Sequence, residues 1–347
     1  MERARFFAFF FSKKEVSVKL ISKFSIISIM GIIKEECKKI CNKFGVELDK
    51  IKLLGRGAHN ENFILYTNKG KFVLRIVNTK NEERLKKEYK VLKKLKGKFG
   101  PRVYLFDDSK KIIKRIYLIE ELIEGKYASE KINKKLLKDV PKFLKKLHSS
   151  SKIPVSKKKD LIYFALDKYF EEYIKSYEKL KNKLSKKINK DIWKTTDFLL
   201  KETQKLCEEN KKLLGNRKKK VIIHGNVDPE HIMYSEGKVK LIDWEFARYG
   251  LEESDLIFFA YLYELKPKEL EIFLEEYGYP KSEKRKKQFN FLFLLHHLGL
   301  ILWSLERIEE IERGEIYKNQ ASSNIKEMKE HANLHIRKSK KFLKELK

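Results

Sequence analysis

Alternating strand signals dominate the chain from residue 51 to residue 121. Ile51–Leu54, Phe63–Thr67 and Lys71–Val77 each read as a short, half-buried β-strand with apolar and polar positions in alternation. Asn68, Lys69 and Gly70 separate the last two, a composition that closes a hairpin. The period then lengthens: Leu85, Tyr89, Leu92 and Leu95 recur at helical spacing over Glu82–Lys96, with Glu88 beside that stripe. Two further strand signals, Arg102–Phe106 and Ile112–Glu121, flank a turn at Asp107–Ser109. Together these elements predict an antiparallel sheet of about five strands with one helix. A short helix over Lys34–Phe44, apolar at Cys37, Ile40, Cys41 and Phe44, is expected to pack on it.

Past Gly125 the pattern is helical almost throughout. Helices are predicted over Ile132–Asp139, from Pro141 to the FLKKLHSS segment, over Asp160–Leu184 and Asp191–Leu214, from Asp255, and near 268–277, 283–312 and 320–346. Phe164, Tyr169, Phe170, Tyr173 and Tyr177 form an aromatic stripe, which predicts core. Phe291, Phe293, His296, Leu300, Trp303 and Ile308 are expected to face inward, with His296 and His297 as isolated core histidines. One stretch breaks the helical pattern: Val221–Ile223 reads as a buried strand, and His231–Tyr234 and Val239–Ile242 as a hairpin turning at Ser235–Lys238.

Composition narrows the classes. With 347 residues, 42% hydrophobic and 12% aromatic, the chain is long enough to bury two cores. A net charge of +31, from 80 Lys plus Arg against 49 Asp plus Glu, raises the question of a nucleic-acid partner. The excess, however, is Lys interleaved with Glu along helices, as in EERLKKEYKVLKKLKGK, a solvated-surface habit of the kind seen in heat-adapted proteins. No DNA- or RNA-binding signature accompanies it, and nucleic acid is not the expected partner. Cys37, Cys41 and Cys207 contain no Cys-x-x-Cys pair and are too few for a disulfide framework, which points to reduced thiols and a cytoplasmic location. Met1–Ile33 is basic and apolar, but its longest apolar run, Phe24–Ile33, falls short of the roughly 20 residues of a membrane span and lacks the features of a signal peptide. No membrane partner is expected, and Met30 is the expected start, with residues 1–29 a mis-called extension.

The residues that carry chemistry gather in Val221–Glu245, VIIHGNVDPEHIMYSEGKVKLIDWE, where His224, Asn226, Asp228, His231 and Asp243 fall at the base of one hairpin. The spacing is that of the kinase catalytic core, H-x-D-x-x-x-x-N followed by a hairpin and a metal-binding Asp. His224, Asn226 and His231 stand at the His, Asp and Asn positions, and Asp243 at the Asp of D-F-G, so two of the four letters differ. The surrounding H-G-x-x-x-P-x-x-I and L-I-D-W-E-F-A resemble the aminoglycoside phosphotransferase and choline kinase superfamily, over roughly residues 46 to 310.

That resemblance implies an α+β, protein-kinase-like, two-lobed fold: an extension and short helix over 1–45, a nucleotide-binding lobe over 46–124 built on the small antiparallel sheet, and a mostly helical lobe over 125–347 that carries the catalytic hairpin. It also implies ATP, or alternatively GTP, as nucleotide, Mg²⁺ or Mn²⁺ as metal, and a small-molecule hydroxyl as acceptor. In GRGAHNEN, Gly55 and Gly57 allow backbone N–H groups to approach an anion, and the family places such a loop, with an Asn such as Asn60 or Asn62, over the nucleotide phosphates. Arg75 sits mid-strand among Val73, Leu74, Ile76 and Val77, a costly place for a guanidinium unless it meets an anion. The resemblance makes Arg75 the phosphate-binding cation and Glu88 its partner, puts the adenine against backbone groups near Glu121 and Ile123, and has Asp255 cap a helix. Metal is expected on Asp243 and on His231, where an imidazole favours Mn²⁺ over Mg²⁺. Asn226 is the graver change, because an amide oxygen accepts a hydrogen bond but cannot take a proton, a loss worth ~10²–10⁴-fold in rate. Asp228, two positions on and on the same side of an extended segment, is the candidate substitute. The alternative is a nucleotide-binding pseudokinase.

Overall fold

A computed structural model describes residues 23–56, 60–77, 82–150, 153–154, 166–210, 219–314 and 324–346. In chain order the elements are α1 (Lys23–Phe44), β1 (Leu48–Arg56), β2 (Asn60–Thr67), β3 (Gly70–Val77), α2 (Glu83–Leu95), β4 (Val103–Asp107), β5 (Tyr117–Glu121), β6 (Lys126–Tyr127), α3 (Lys134–Ser150), β7 (Ile153–Pro154), α4 (Leu166–Leu184) and α5 (Lys190–Glu209). There follow β8 (Lys219–Ile223), a 3₁₀ turn (Pro229–His231), β9 (Ile232–Ser235), β10 (Lys238–Leu241), β11 (Arg248–Gly250), α6 (Glu253–Leu262), α7 (Pro267–Tyr277), α8 (Glu283–Glu312) and α9 (Ile325–Leu346). The chain divides into two compact units, one taking in the described residues up to Leu136 together with His224–Arg248, the other Leu137–Ile223 and the chain from Tyr249 onward. By contact, then, the hairpin groups with the amino-terminal sheet and not with the helices that surround it in sequence.

In the first unit an antiparallel sheet runs in the order β1-β2-β3-β5-β4. Strand alternation divides its side chains between two faces. Phe63, Leu65, Leu74, Ile76, Tyr117 and Ile119 form a core with Cys37, Ile40 and Cys41 of α1. Burial pushes the thiol of Cys37 up to about 12 and that of Cys41 up to about 11, consistent with inert, reduced side chains. β9 and β10 make the hairpin, β6 pairs with β9, and Leu241 N–H donates to Phe99 O at 3.0 Å.

Several boundaries differ from the sequence expectation. α1 begins at Lys23, not Lys34, because the apolar run Phe24–Ile33 continues the same helix. β5 is confined to Tyr117–Glu121: Lys110 takes a left-handed φ of 56°, and Arg115 is tied to Glu36 and Glu61, so the segment before β5 bends and its buried Ile113 and Ile116 lie outside the strand. Gly55 lies within β1 at a bulge, opposite Asn62, and Asn60 already belongs to β2, so both ends of the predicted loop are strand, and residues 57–59, Gly57 among them, lie outside the described residues. α3 is one helix that runs through Pro141; a buried stripe of Leu136, Leu137, Val140, Leu144 and Leu147 outweighs the one backbone donor that proline removes.

In the second unit the aromatic stripe of α4 is core: Phe170, Tyr173 and Tyr177 pack with Trp193 of α5 and with Leu294, Leu298, Ile301 and Leu305 of α8. Phe164 lies outside the described residues. α8 contains an 18-residue stretch of mean hydropathy 1.4, apolar enough by composition to cross a membrane, and here it is the spine of this core. Trp303 departs from the inward-facing set and is 37% exposed. Asp255 lies inside the first turn and not at the N-cap position, which Glu252 occupies without a side-chain capping hydrogen bond; its buried carboxylate meets His148 Nε2 at 3.1 Å.

The histidines of α8 are not isolated either. His297 Nδ1 lies 3.1 Å from His335 Nδ1, and His335 Nε2 lies 3.1 Å from both His331 Nε2 and the Tyr261 hydroxyl. Ser304 donates its hydroxyl proton to Leu300 O and so accepts from His331 Nδ1, at 2.7 Å. Read from that fixed end, one set of neutral tautomers satisfies the row: His297 donates to His335, His335 to His331, and His331 to Ser304.

Candidate functional site

Arg75 follows Leu74 on β3 and so points away from α1, on the same face as Asn62, its partner across β2, and Leu118, its partner across β5. α2 brings Glu88 to this face from within its buried stripe, not from beside it. Arg75 Nη1 donates to Glu88 Oε1 at 2.5 Å, and Glu88 Oε1 also accepts from Trp244 N–H at 3.0 Å. Arg75 Nη2 donates to Asp243 Oδ1 at 2.9 Å. Glu120, two residues beyond Leu118 and therefore on the same face, places Oε1 3.9 Å from Arg75 Nη1.

Asp243 adopts a left-handed φ of 61°, an uncommon conformation for a side chain other than glycine and one that clusters at functional sites. Its second oxygen lies 3.5 Å from His231 Nε2. His231 Nδ1 is 3.0 Å from Asn226 O and donates to it, which leaves the Nε2 lone pair facing Asp243. A backbone carbonyl that fixes the tautomer in this way is the usual outer support of a metal-binding histidine. One imidazole and one carboxylate converging at 3.5 Å, partly exposed on the carboxylate side, fit a divalent cation. No group of three or more His, Cys, Asp or Glu among the described residues is arranged as a self-sufficient metal site, so other ligands would have to come from outside the protein.

His224 spans the loop, donating from Nε2 to Ile242 O at 3.0 Å and accepting Asn226 N–H on Nδ1 at 3.3 Å. Its role is to brace the loop. The Asn226 side-chain amide makes no hydrogen bond with the described residues. Asp228 caps the 3₁₀ turn through Oδ1, which accepts Glu230 N–H at 2.9 Å.

A sequence profile described as the phosphotransferase enzyme family matches residues 50–287. The chain belongs to the phosphotransferase enzyme family. Among solved structures, choline kinase LicA from Streptococcus pneumoniae is 20% identical, with TM-score 0.62 over 92% of this chain and 99% of that one. Spectinomycin phosphotransferase APH(9)-Ia, in complex with ADP and spectinomycin, is 15% identical, with TM-score 0.60 over 88% and 97%. Macrolide 2′-phosphotransferase MphH from Brachybacterium faecium is 14% identical, with TM-score 0.56 over 83% and 97%. A search of curated protein sequences gives no match. These likenesses bear out the α+β, kinase-like, two-lobed architecture.

In this family member, Arg75, Glu88, Asp243, His231, His224, Asn226 and Asp228 all lie within one compact unit, and the first four meet directly. Gly55 and Asn60 stand in paired strands. Glu121 closes β5, with its backbone N–H and its carboxylate both committed to Arg102. Ile123, just beyond, is buried and makes no backbone–backbone hydrogen bond with the described residues. Sequence reading missed Glu120, whose only signal was a carboxylate directly after the apolar Tyr117–Ile119 run.

The electrostatics separate these carboxylates. Burial opposes ionisation at Asp243, but the Arg75 guanidinium holds its carboxyl below the usual range. Burial pushes Glu88 and Glu120 up, with Arg75 pulling each back. Burial likewise raises Asp228, the direction that makes a carboxylate a better proton acceptor. Three buried oxygens on the Arg75 face, Asn62 Oδ1, Glu88 Oε2 and Glu120 Oε2, take no hydrogen bond from the described residues.

Proposed function

We propose that this phosphotransferase moves the terminal phosphoryl group of ATP to a hydroxyl of a small molecule. The observation that carries the reading is Arg75, buried, fixed by Glu88 and directed at Asp243, whose other oxygen faces a histidine held in its metal-binding tautomer. Phosphoryl transfer needs little covalent help from a protein; it needs charge neutralisation and alignment. Arg75 would bind phosphate oxygens, and Asp243 and His231 would hold a divalent cation, which when bound neutralises phosphate charge. Asn226 would orient the acceptor hydroxyl through its amide oxygen, and Asp228 would take the proton. The similar proteins named above act on choline, spectinomycin and a macrolide, so an alcohol acceptor is the common chemistry, and which alcohol is left to experiment.

A second reading rests on one residue. Asn226 stands where the kinase pattern has its proton-accepting Asp, which favours a protein that binds nucleotide and transfers slowly or not at all. Both readings require a metal–nucleotide complex, and a melting screen tests that requirement. ATP or ADP with Mn²⁺ should raise the melting temperature by several degrees, at least as much as with Mg²⁺, and nucleotide without metal should do little. No shift with any nucleotide and either metal sinks both readings; a clear Mg²⁺ preference removes His231 as ligand.

A further inference from the structure

Three carboxylates surround Arg75, yet the reading above uses only two. Glu120 is the third. Its side chain is 7% exposed, its Oε1 lies 3.9 Å from Arg75 Nη1, and its Oε2 takes no hydrogen bond from the described residues. Arg75 is the only cation paired with it among the described residues. A buried carboxylate so poorly satisfied is costly, and an apolar side chain like the neighbouring Leu118 or Ile119 would serve the sheet better. What distinguishes the position is what it faces. A lysine ammonium is a point charge that one carboxylate can hold, whereas a guanidinium is a planar fork that can rotate about a single contact. Glu88 arrives from α2 and Glu120 from β5, so Nη1 is attracted from two elements while Nη2 stays turned toward Asp243.

We propose that Glu120 is a positioning residue: together with Glu88 it fixes the plane of Arg75, so that the Nη2 edge is presented to the nucleotide phosphates. This rests on the proposed function, and the test separates the two. Affinity for Mn²⁺·ADP is measured by calorimetry, and melting temperature without ligand, for the wild type, Glu120→Gln, Glu120→Leu, Arg75→Lys and the Arg75→Lys/Glu120→Gln double variant. Glu120→Gln and Glu120→Leu should each weaken Mn²⁺·ADP by about tenfold while the ligand-free melting temperature holds or rises. In the Arg75→Lys background the same Gln change should cost less than about threefold, because the ammonium needs Glu88 alone. Wild-type affinity in Glu120→Gln, or equal losses in both backgrounds, overturns the proposal. So does a melting temperature that falls while affinity is kept, which is the mark of a merely structural residue. A wild type that binds no Mn²⁺·ADP sinks the functional reading itself.

Discussion

The two units bury polar groups in opposite ways. In one, a guanidinium and several carboxylates lie together around Arg75, with Asp243 left partly exposed and Glu120 Oε2 unsatisfied. In the other, His297, His335, His331 and Ser304 form a row of neutral donors and acceptors that close on one another and on Leu300 O. The first cluster leaves capacity for a charged ligand; the second spends its capacity internally and joins α8 to α9. Burial shows the same contrast, since it pushes His296 down to about 4, His331 to about 4 and His297 to about 2, which favours neutral imidazoles, whereas the charge of Arg75 is reinforced by Glu88 and Asp243. A change in the first region should therefore be felt in ligand chemistry, and one in the second in stability.

The largest expected effect is at Asn226. Asn226→Asp restores a proton acceptor where the side-chain amide now makes no hydrogen bond with the described residues, and should raise ATP-dependent turnover by ~10²–10⁴-fold with the melting temperature little changed. Steady-state ADP formation with an alcohol acceptor present and a melting curve on the same preparation check both halves. If turnover is already present and the substitution leaves it flat, while Asp228→Ala abolishes it, Asp228 is the working base. If Asp228→Ala leaves an existing rate untouched, the relocated base is wrong and capping Glu230 N–H is the whole role of that carboxylate.

Acid should act mainly on the second region. The folded-state values of these imidazoles lie below the ordinary value of about 6.5, so between pH 6.5 and 4 the unfolded chain binds protons that the folded chain refuses. Stability is thus full above about pH 6.5 and is lost as the pH falls, on the order of 2 kcal/mol per imidazole by pH 5. The groups facing the row are Tyr261 on α6, His296 on α8 and Lys338 on α9, with Glu264 acting on Tyr261 and Lys338 from behind them, and the nearby Lys338 ammonium adds to the cost of a protonated ring. Burial raises Glu120, so acid has the opposite sign there and relieves a buried charge. Amide exchange at pH 7 and pH 5 distinguishes the regions: α9 should lose protection while β5 does not. Equal loss in both would mean that the histidines act through global unfolding and that the contrast is empty.

How much of this was legible in the sequence follows from what sets each feature. Period-two and helical patterns placed β2, β3, α2 and α8, because those elements bury one face each and the apolar letters report it. The spacing of His224, Asn226, His231 and Asp243 along a short hairpin was readable because hairpin geometry is local. Register was not. Glu120 reaches Arg75 only because Arg75 pairs with Leu118 across two strands more than forty positions apart, which no local pattern encodes. The histidine row failed for the same reason, since it needs α8 and α9 in contact. Ile113 and Ile116 misled in another way: their burial was real, but outside the strand.

The smallest expected effect tests whether packing alone can reach the ligand-directed region. Gly100 is constrained by proximity: a Cβ there would meet Trp244 Nε1 at 2.4 Å and Leu241 O at 2.9 Å, the two atoms that share a hydrogen bond of 2.8 Å. Gly100→Ala must therefore displace either the buried indole or β10, at a cost of about 1–3 kcal/mol. Trp244 is also the residue whose backbone N–H reaches Glu88, so a shift of the indole loosens one of the contacts that orient Arg75. Urea denaturation should show the stability loss, and Mn²⁺·ADP affinity should fall with it. Trp244→Phe removes the Nε1 that the new methyl group would strike, so in that background Gly100→Ala should cost measurably less. Stability lost with affinity intact would show that the site tolerates movement of Trp244, and that Arg75 is oriented from the sheet and α2 alone.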